Sequence, residues 1–528
     1  MRSLRAVMIG VLSGALVGAA LVPAHADPPT VEEEPAPRFL VGAAARDITP
    51  EGVVNQGGFG LGDGSVFPDE VVGRGNQARA ETERLYARAF VVDNGTEVLA
   101  FVITDNIGMF AKYQDGPGLI DIAESVAAAP ETEGRIPVPH VVAAGSHTHS
   151  GPDTLGAWGG VDRAYLQLIH DQAVGAVLDA YASRRPAELT VGVADGRQTF
   201  QGSSGVYDLI DNQVCLETAS NSFEGSTNSC VPRQESVDSD VRVLQAREVL
   251  PPSNATQHSA NGCEGPGDHD GRTCERLGDV IGTFVTYAAH PTLGGAGGLH
   301  GDWIAYLDDA LETTYGGVGV VWPGTIGRVQ PERGWNNRRV DFTTNLMTMI
   351  GQALDGGRGL TDNTLAMEKA LVRTEVTNPI LAGLLLEGDE VGAPLMRSQE
   401  SPWLVGSTVQ TVVGAGRIGD VALLGVPGEA YAQIALGAAD SIQGERTVFT
   451  LGLADDMLGY LISHTEDYAA IAAITPVNDN ALFNVSPRIG DHVMCAGIRM
   501  AAAAGWQTEL NPRCVAFDAE DGVTGRRL

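Results

Sequence analysis

Two histidines set two residues apart, His147 and His149, lie in the segment Gly145-Ser146-His147-Thr148-His149-Ser150-Gly151-Pro152, directly after the apolar run Val138 to Ala144. If that strand-like run stays extended through the pair, alternate side chains share a face and the two imidazoles converge on one point. Imidazole is a common metal ligand and a general acid or base, so the pair points to metal binding or proton transfer. A lone histidine is most often an ordinary core or surface residue. Two at this spacing, where a buried strand opens into a loop, weigh the other way. Ser150-Gly151-Pro152 then forces a turn that leaves the site open.

A catalytic zinc takes about three protein ligands and keeps a position for water. Further ligand-type residues occur in the same topological place. His290 ends the run Val280 to Ala289, and Pro291 prevents that strand from continuing. Glu429 follows the strand-like run Asp420 to Val426 across Pro427-Gly428. Ligands of α/β sheets collect beyond strand ends. The plain alternative for any one of these residues is a cap or a turn.

The elements that must position them alternate between strand and helix. Leu85 to Asp93 and Val98 to Thr104 read as buried strands joined by a tight turn at Asn94-Gly95. Ile120 to Ala129 reads as a short helix, and Arg163 to Ser183 as a helix after the histidine segment. Ser239 to Arg247 is strand-like. Helices are expected over Ile304 to Tyr315, Phe342 to Ala353 and Ala430 to Ser441, with strands at Val318 to Trp322 and Thr447 to Leu453. Glu368 to Val413 is strand-like throughout. The fold class is therefore α/β, with mixed sheets flanked by helices, and the length suits a single large catalytic domain over residues 39–528 or two domains. Residues 201–276 are rich in Ser, Asn, Gly and Asp and read as a loop-rich, disulfide-pinned insertion. Asp268-His269-Asp270-Gly271 within it lacks the full calcium loop and reads as an acidic turn.

Composition excludes several partners. Of 528 residues, 66 are Asp or Glu and 34 Lys or Arg, a net charge of −32 that disfavours nucleic acid and anionic membranes. Met1 to Arg5 is basic, Ala6 to Pro23 is apolar, and Ala24-His25-Ala26 supplies small residues around a cut before Asp27. This is the layout of a secretory signal peptide over 1–26, the alternative being a retained anchor. An acidic, proline-rich lead-in occupies 27–38. No later apolar stretch is as long, so the secreted chain is expected to insert in no membrane. The six cysteines agree with export, and their order favours local pairs, Cys215 with Cys230, Cys263 with Cys274 and Cys495 with Cys514, although spacing alone leaves the pairing open.

Several blocks together resemble the neutral and alkaline non-lysosomal ceramidase family. Gly145 to Pro152 is similar to its most distinctive motif nearly letter for letter. Ala44 to Pro50, Leu85 to Ala89 and Thr104 to Met109 look like its first strands. Ala289-His290-Pro291-Thr292 with Gly301-Asp302-Trp303 resembles its second histidine block, and Val426-Pro427-Gly428-Glu429 its glutamate block. Gly452 through Tyr460, with Glu466-Asp467-Tyr468, is similar to its tyrosine block. The resemblance spans about residues 40 to 500.

The resemblance implies a Zn2+ ion held by His147, His290, Glu429 and Tyr460, with His149 beside it as the group that stabilises a developing oxyanion. It implies cleavage of an amide in an N-acylated, ceramide-like lipid. Asp302 is then expected to support a ligating imidazole from the outer shell, and Arg197 to contact substrate. One departure is chemical. Gln330 stands where the family has a serine implicated in catalysis, and an amide can orient substrate but cannot be an acyl nucleophile. The family's C-terminal immunoglobulin-like domain is expected to be absent, and Ala473 stands near an expected second tyrosine. These departures keep two alternatives in view: a zinc hydrolase of the same scaffold acting on an ester or glycoconjugate, and a non-catalytic binding protein.

Overall fold

The computed structural model describes residues 39–58, 83–113, 115–196, 238–250, 276–294, 298–327, 338–379, 408–444, 447–462 and 483–509, with shorter pieces between and after them. The expectations for 1–38, for most of 201–276 with its four cysteines and Asp268, and for Arg197, Gln330, Tyr468 and Ala473 lie outside the described residues.

Strand Val98–Thr104 is buried at all 7 positions, as a strand covered on both faces must be. It belongs to a nine-stranded sheet. From one end, the order is Val318–Pro323, Arg276–Tyr287, Asp240–Leu250, Arg185–Asp195, Phe39–Asp47, Tyr86–Asp93, Val98–Thr104 and Val141–Gly145, with Arg358–Gly359 paired to the fourth. The strand Asp240–Leu250 lies inside this sheet, so the segment read from sequence as an insertion contributes a central strand. A second sheet of five strands runs Thr447–Leu451, Val421–Gly425, Thr408–Ile418, Leu365–Glu375 and Arg526–Arg527.

Within these two sheets most described neighbours are antiparallel, but three pairs are parallel: Val98–Thr104 with Val141–Gly145, Arg276–Tyr287 with Val318–Pro323, and Val421–Gly425 with Thr447–Leu451. Parallel strands need a crossover, and here each crossover carries a helix: Leu119–Ala128, Asp302–Tyr315 and Ala432–Ser441 respectively. The first two pairs are the opposite ends of the nine-stranded sheet.

Side chains alternate strictly along the strands. Phe90 and Val92 face an interior shared with Leu423, Phe449 and Leu451 of the second sheet, whereas Ala87, Ala89 and Val91 face the helix Arg163–Ala182 and its neighbours. That helix starts at Asp162, whose carboxylate accepts the Tyr165 amide at 2.8 Å, a standard N-cap. Gly42 and Gly192 let helices lie close on the sheet, since a Cβ at either would come within 1.9 Å of the Ala180 or Ala353 carbonyl oxygen. On the far side of the second sheet, Val372, Val413 and Leu424 pack on Ile434 and on Val493 and Met494 of the helix Ile489–Ala503. Cys495 in that helix is disulfide-bonded to Cys514, as the local pairing anticipated. Among the described residues no helix is long and apolar enough to cross a membrane.

The nine-stranded sheet curls until its ends approach. The Phe284 ring packs edge-on against Phe101 at 5.6 Å and tilted against Phe90 at 6.0 Å, although three strands separate it from Phe90 in the sheet. Across the same seam Arg88 donates to the Gly319 carbonyl at 3.4 Å and pairs with Asp308 at 3.2 Å.

Candidate metal centre

The curl brings the C-terminal ends of the first two parallel pairs together, the second sheet adds the end of the third, and each supplies one side chain. Strand Val141–Gly145 stops two residues before His147. His147 then has φ +63, so the histidine pair does not lie on an extended strand as expected. The imidazoles still converge, with ring centroids 4.9 Å apart, because a left-handed residue reverses the chain at the strand mouth. A non-glycine residue there costs on the order of 1 kcal/mol and persists only where neighbours hold it. The Ser146 amide donates to Thr104 O at 2.8 Å, and His147 Nδ1 lies 2.7 Å from Ile107 O.

His290 lies three residues beyond Tyr287, the last residue of its strand. Its amide donates to Val329 O at 3.0 Å and its ring Nδ1 lies 3.1 Å from the same carbonyl. Glu429 follows the strand Val421–Gly425 and pairs in parallel register with Tyr460. The Tyr460 ring stacks on His290, with centroids 6.3 Å apart and planes 26° apart. The two histidine loops are joined directly, since the His149 amide donates to Pro291 O at 3.0 Å.

The ring contacts fix the tautomers. A carbonyl oxygen only accepts, so Nδ1 of His147 and of His290 each carry hydrogen, and both Nε2 atoms keep a lone pair when neutral. Those lone pairs face one oxygen: Oε2 of Glu429 is 3.3 Å from His147 Nε2 and 2.9 Å from His290 Nε2. His149 Nε2 lies 3.2 Å from His147 Nε2. Acceptors crowded on acceptors require positive charge among them, supplied by a metal ion or by protons. His147, His149 and His290 offer ring nitrogens within 4.8 Å of one another, a group able to hold a metal ion. Burial alone would raise the Glu429 carboxyl, but the His147 and His290 imidazoles outweigh it and hold the carboxyl well below its usual range. Burial, reinforced by His147 and His290, pushes the His149 imidazole far down, so it is neutral at pH 7.

Asp302 corrects an expectation. Among the described residues its carboxylate has no hydrogen bond to His147 or His290; it accepts the amides of Leu293, Gly294 and Trp303 at 3.1, 2.6 and 2.7 Å. The carbonyls of Ile107 and Val329 lie against the Nδ1 atoms of those two rings instead. Asp302 thus fastens the loop that follows His290, with its own backbone at φ +54.

Other contributors carry no sequence signal. Backbone carbonyls are anonymous in a sequence, so neither Ile107 nor Val329 could be picked out. Gly58 packs on His149 so closely that a Cβ would come within 2.4 Å of the ring. His300 ties the loops through its backbone, its carbonyl accepting from Thr148 Oγ1 at 2.8 Å and its amide donating to Ser150 O at 3.1 Å.

No protein-family model matches the sequence, and no curated protein matches it. Solved structures do match. The crystal structure of neutral ceramidase from Pseudomonas aeruginosa aligns with a TM-score of 0.61 at 16% identity, covering 90% of this chain and 76% of that one. A ceramidase complexed with C2 aligns with a TM-score of 0.60 at 16% identity, covering 90% and 77%. At such identity the likeness speaks for the fold. The chain is built on the neutral ceramidase fold.

Proposed function

We propose that this chain is an exported zinc-dependent amidohydrolase that cleaves the N-acyl bond of a ceramide-like lipid. The observation that carries the reading is the single Glu429 oxygen facing the Nε2 atoms of His147 and His290 at 3.3 and 2.9 Å. Imidazole and carboxylate are donors that zinc accepts, and a bound zinc ion lowers the pKa of water and polarises a carbonyl oxygen. His147, His290 and Glu429 would hold it, with Tyr460 as the fourth ligand on the strength of its register with Glu429.

The remaining roles belong to the protein's own groups. The Ile107 and Val329 carbonyls keep the two ligating rings in one orientation and one tautomer. His149 takes the substrate side. Its ring is half-buried, whereas His147 and His290 are only 3% and 1% exposed. A neutral imidazole so placed can donate one N–H to negative charge developing on a substrate carbonyl oxygen. Arg197 and Gln330 are assigned to substrate contact from the sequence resemblance. The basic, apolar and small-residue pattern of Met1 to Ala26 supports export.

Metal analysis of purified protein should find about one zinc per chain, with none in His147→Ala. A mass-spectrometric screen of the zinc-loaded protein against N-acyl lipids and N-acyl sugars, with His147→Ala as blank, should show fatty acid released from an N-acyl lipid. Release only from sugars or esters would move the substrate to those classes. A wild-type protein without bound transition metal would end the reading.

A further inference from the structure

Among the described residues the strand Val141–Gly145 that leads to His147 is an edge strand, with no other strand paired to its outer side. A buried ion pair takes that place. The Asp455 amide donates to Ala143 O at 2.7 Å, and the Ala143 amide donates back to Asp455 Oδ1 at 3.2 Å. The other Asp455 oxygen lies 2.7 Å from Lys369 Nζ, which also donates to Val141 O. One residue therefore copies the hydrogen bonding of a neighbouring strand, and a lysine from the second sheet completes it.

Both members are closed off from water, with side-chain exposures of 3% for Lys369 and 5% for Asp455. Replacing such a pair by apolar residues of similar volume is often neutral or stabilising, so stability alone is a weak reason for it. The backbone around Asp455 is also costly. Leu453 has φ +55 and Asp455 φ +63, two left-handed non-glycine residues within three positions. Strain of this kind concentrates beside functional sites. This turn lies between the strand Thr447–Leu451 and Tyr460. The anchor is thus four residues before His147 on one side and five before Tyr460 on the other.

We infer that Lys369 and Asp455 are positioning residues for the metal centre, locking the strand that delivers His147 to the turn that delivers Tyr460. The inference rests on the metal-site reading above. Asp456 extends the lock, accepting the Ala111 amide at 2.9 Å and the Thr411 hydroxyl at 2.7 Å. It thereby holds the segment that also carries the Ile107 carbonyl.

The test separates positioning from stability. Zinc dissociation constants would be measured by competition with a chromophoric chelator for wild type, Asp455→Asn and the double variant K369M/D455L, beside the unfolding midpoints of the metal-free chains. The double variant leaves no lone buried charge and should keep a midpoint near wild type while binding zinc about 10- to 100-fold more weakly, the range for lost outer-shell support. Unchanged zinc affinity in a folded variant overturns the inference. A second measurement needs no variant. Because coupling is reciprocal, adding zinc to the wild-type chain should slow hydrogen exchange at the Ala143 and Asp455 amides. Exchange there that is indifferent to bound zinc also overturns it. If wild type binds no zinc at all, the metal-site reading fails first and this inference falls with it.

Discussion

Glu429 and Tyr460 are register partners on two short parallel strands, so carboxylate and phenol leave the backbone side by side. The Tyr460 ring meanwhile stacks on His290. Tyr460→Phe removes only the hydroxyl and keeps that stack. If the phenol is a ligand, zinc affinity falls by at least about 10-fold, as for the weakest outer-shell losses, while the midpoint of the metal-free chain hardly moves. Chelator competition beside thermal unfolding reads both.

Glu429→Gln tests the charge of the site at nearly constant shape. The amide keeps the shape of the carboxyl but loses its charge, and its NH2 can donate to the lone pair of His290 Nε2, now 2.9 Å from an acceptor. Zinc affinity should fall by more than the about 100-fold ceiling of outer-shell changes. Because His147 and His290 hold this carboxyl well below its usual range, the carboxylate also stabilises the metal-free fold at neutral pH, and the metal-free variant should be less stable than metal-free wild type. An unchanged metal-free midpoint would show that His147 and His290 do not hold the carboxylate in the absence of a cation.

Asp456 predicts a pH dependence. Burial pushes its carboxyl from an ordinary 3.8 up to about 6, against hydrogen bonds from Ala111, Thr411 and Met457 that pull it down. Between those values the folded chain keeps a proton that the unfolded chain has lost. The stabilisation from the protonated acid is complete below about pH 4 and is lost as pH rises through about 6. Asp456→Asn removes the titration. The variant's unfolding free energy minus that of wild type should therefore climb between pH 4 and pH 6, at no more than about 1.4 kcal/mol per pH unit, and level off above. A flat difference from pH 4 to pH 7, measured by denaturant unfolding, contradicts the assignment.

Asp302 tests the loop after His290. Asp302→Ala strands the three amides it accepts, and each unsatisfied buried donor costs about 1–3 kcal/mol. It should therefore lower stability by about 3 kcal/mol or more. Asp302→Asn retains an acceptor and tolerates the observed φ of +54, so its loss should be clearly smaller. Equal losses would show that the carboxylate charge, and not its hydrogen bonding, holds the loop.

Much of this architecture is legible along the chain. Val98 to Thr104 is an unbroken apolar run and forms the strand at those limits. Arg163 to Ser183 carries helical periodicity behind an Asp162 cap, and the helix ends one residue earlier, at Ala182. The strand Arg185–Asp195 escaped notice because Pro186, Glu188 and Gly192 mask an alternation in which Ala187, Leu189 and Val191 are buried. The helix Ile489–Ala503 escaped because it is buried nearly all round and shows no polar stripe. The Asn94-Gly95 turn spans four residues, with Asn94 Oδ1 accepting the Thr96 and Glu97 amides.

At the site, residue types were readable and their supports were not. His147, His290 and Glu429 announce themselves as ligand-type residues after apolar strands. The left-handed turn at His147 and the carbonyls beside the rings are properties of backbone, which sequence does not name.

The curl of the nine-stranded sheet has a kinetic consequence. His290 and Glu429 are 139 positions apart in the chain, and His147 comes from the far end of a sheet whose intervening strands must pair first. Closing such distant segments draws on loop entropy that only late native contacts repay. On the proposed reading, metal capture is tied to completed topology: a partly folded chain has imidazoles to offer but no common point at which to offer them.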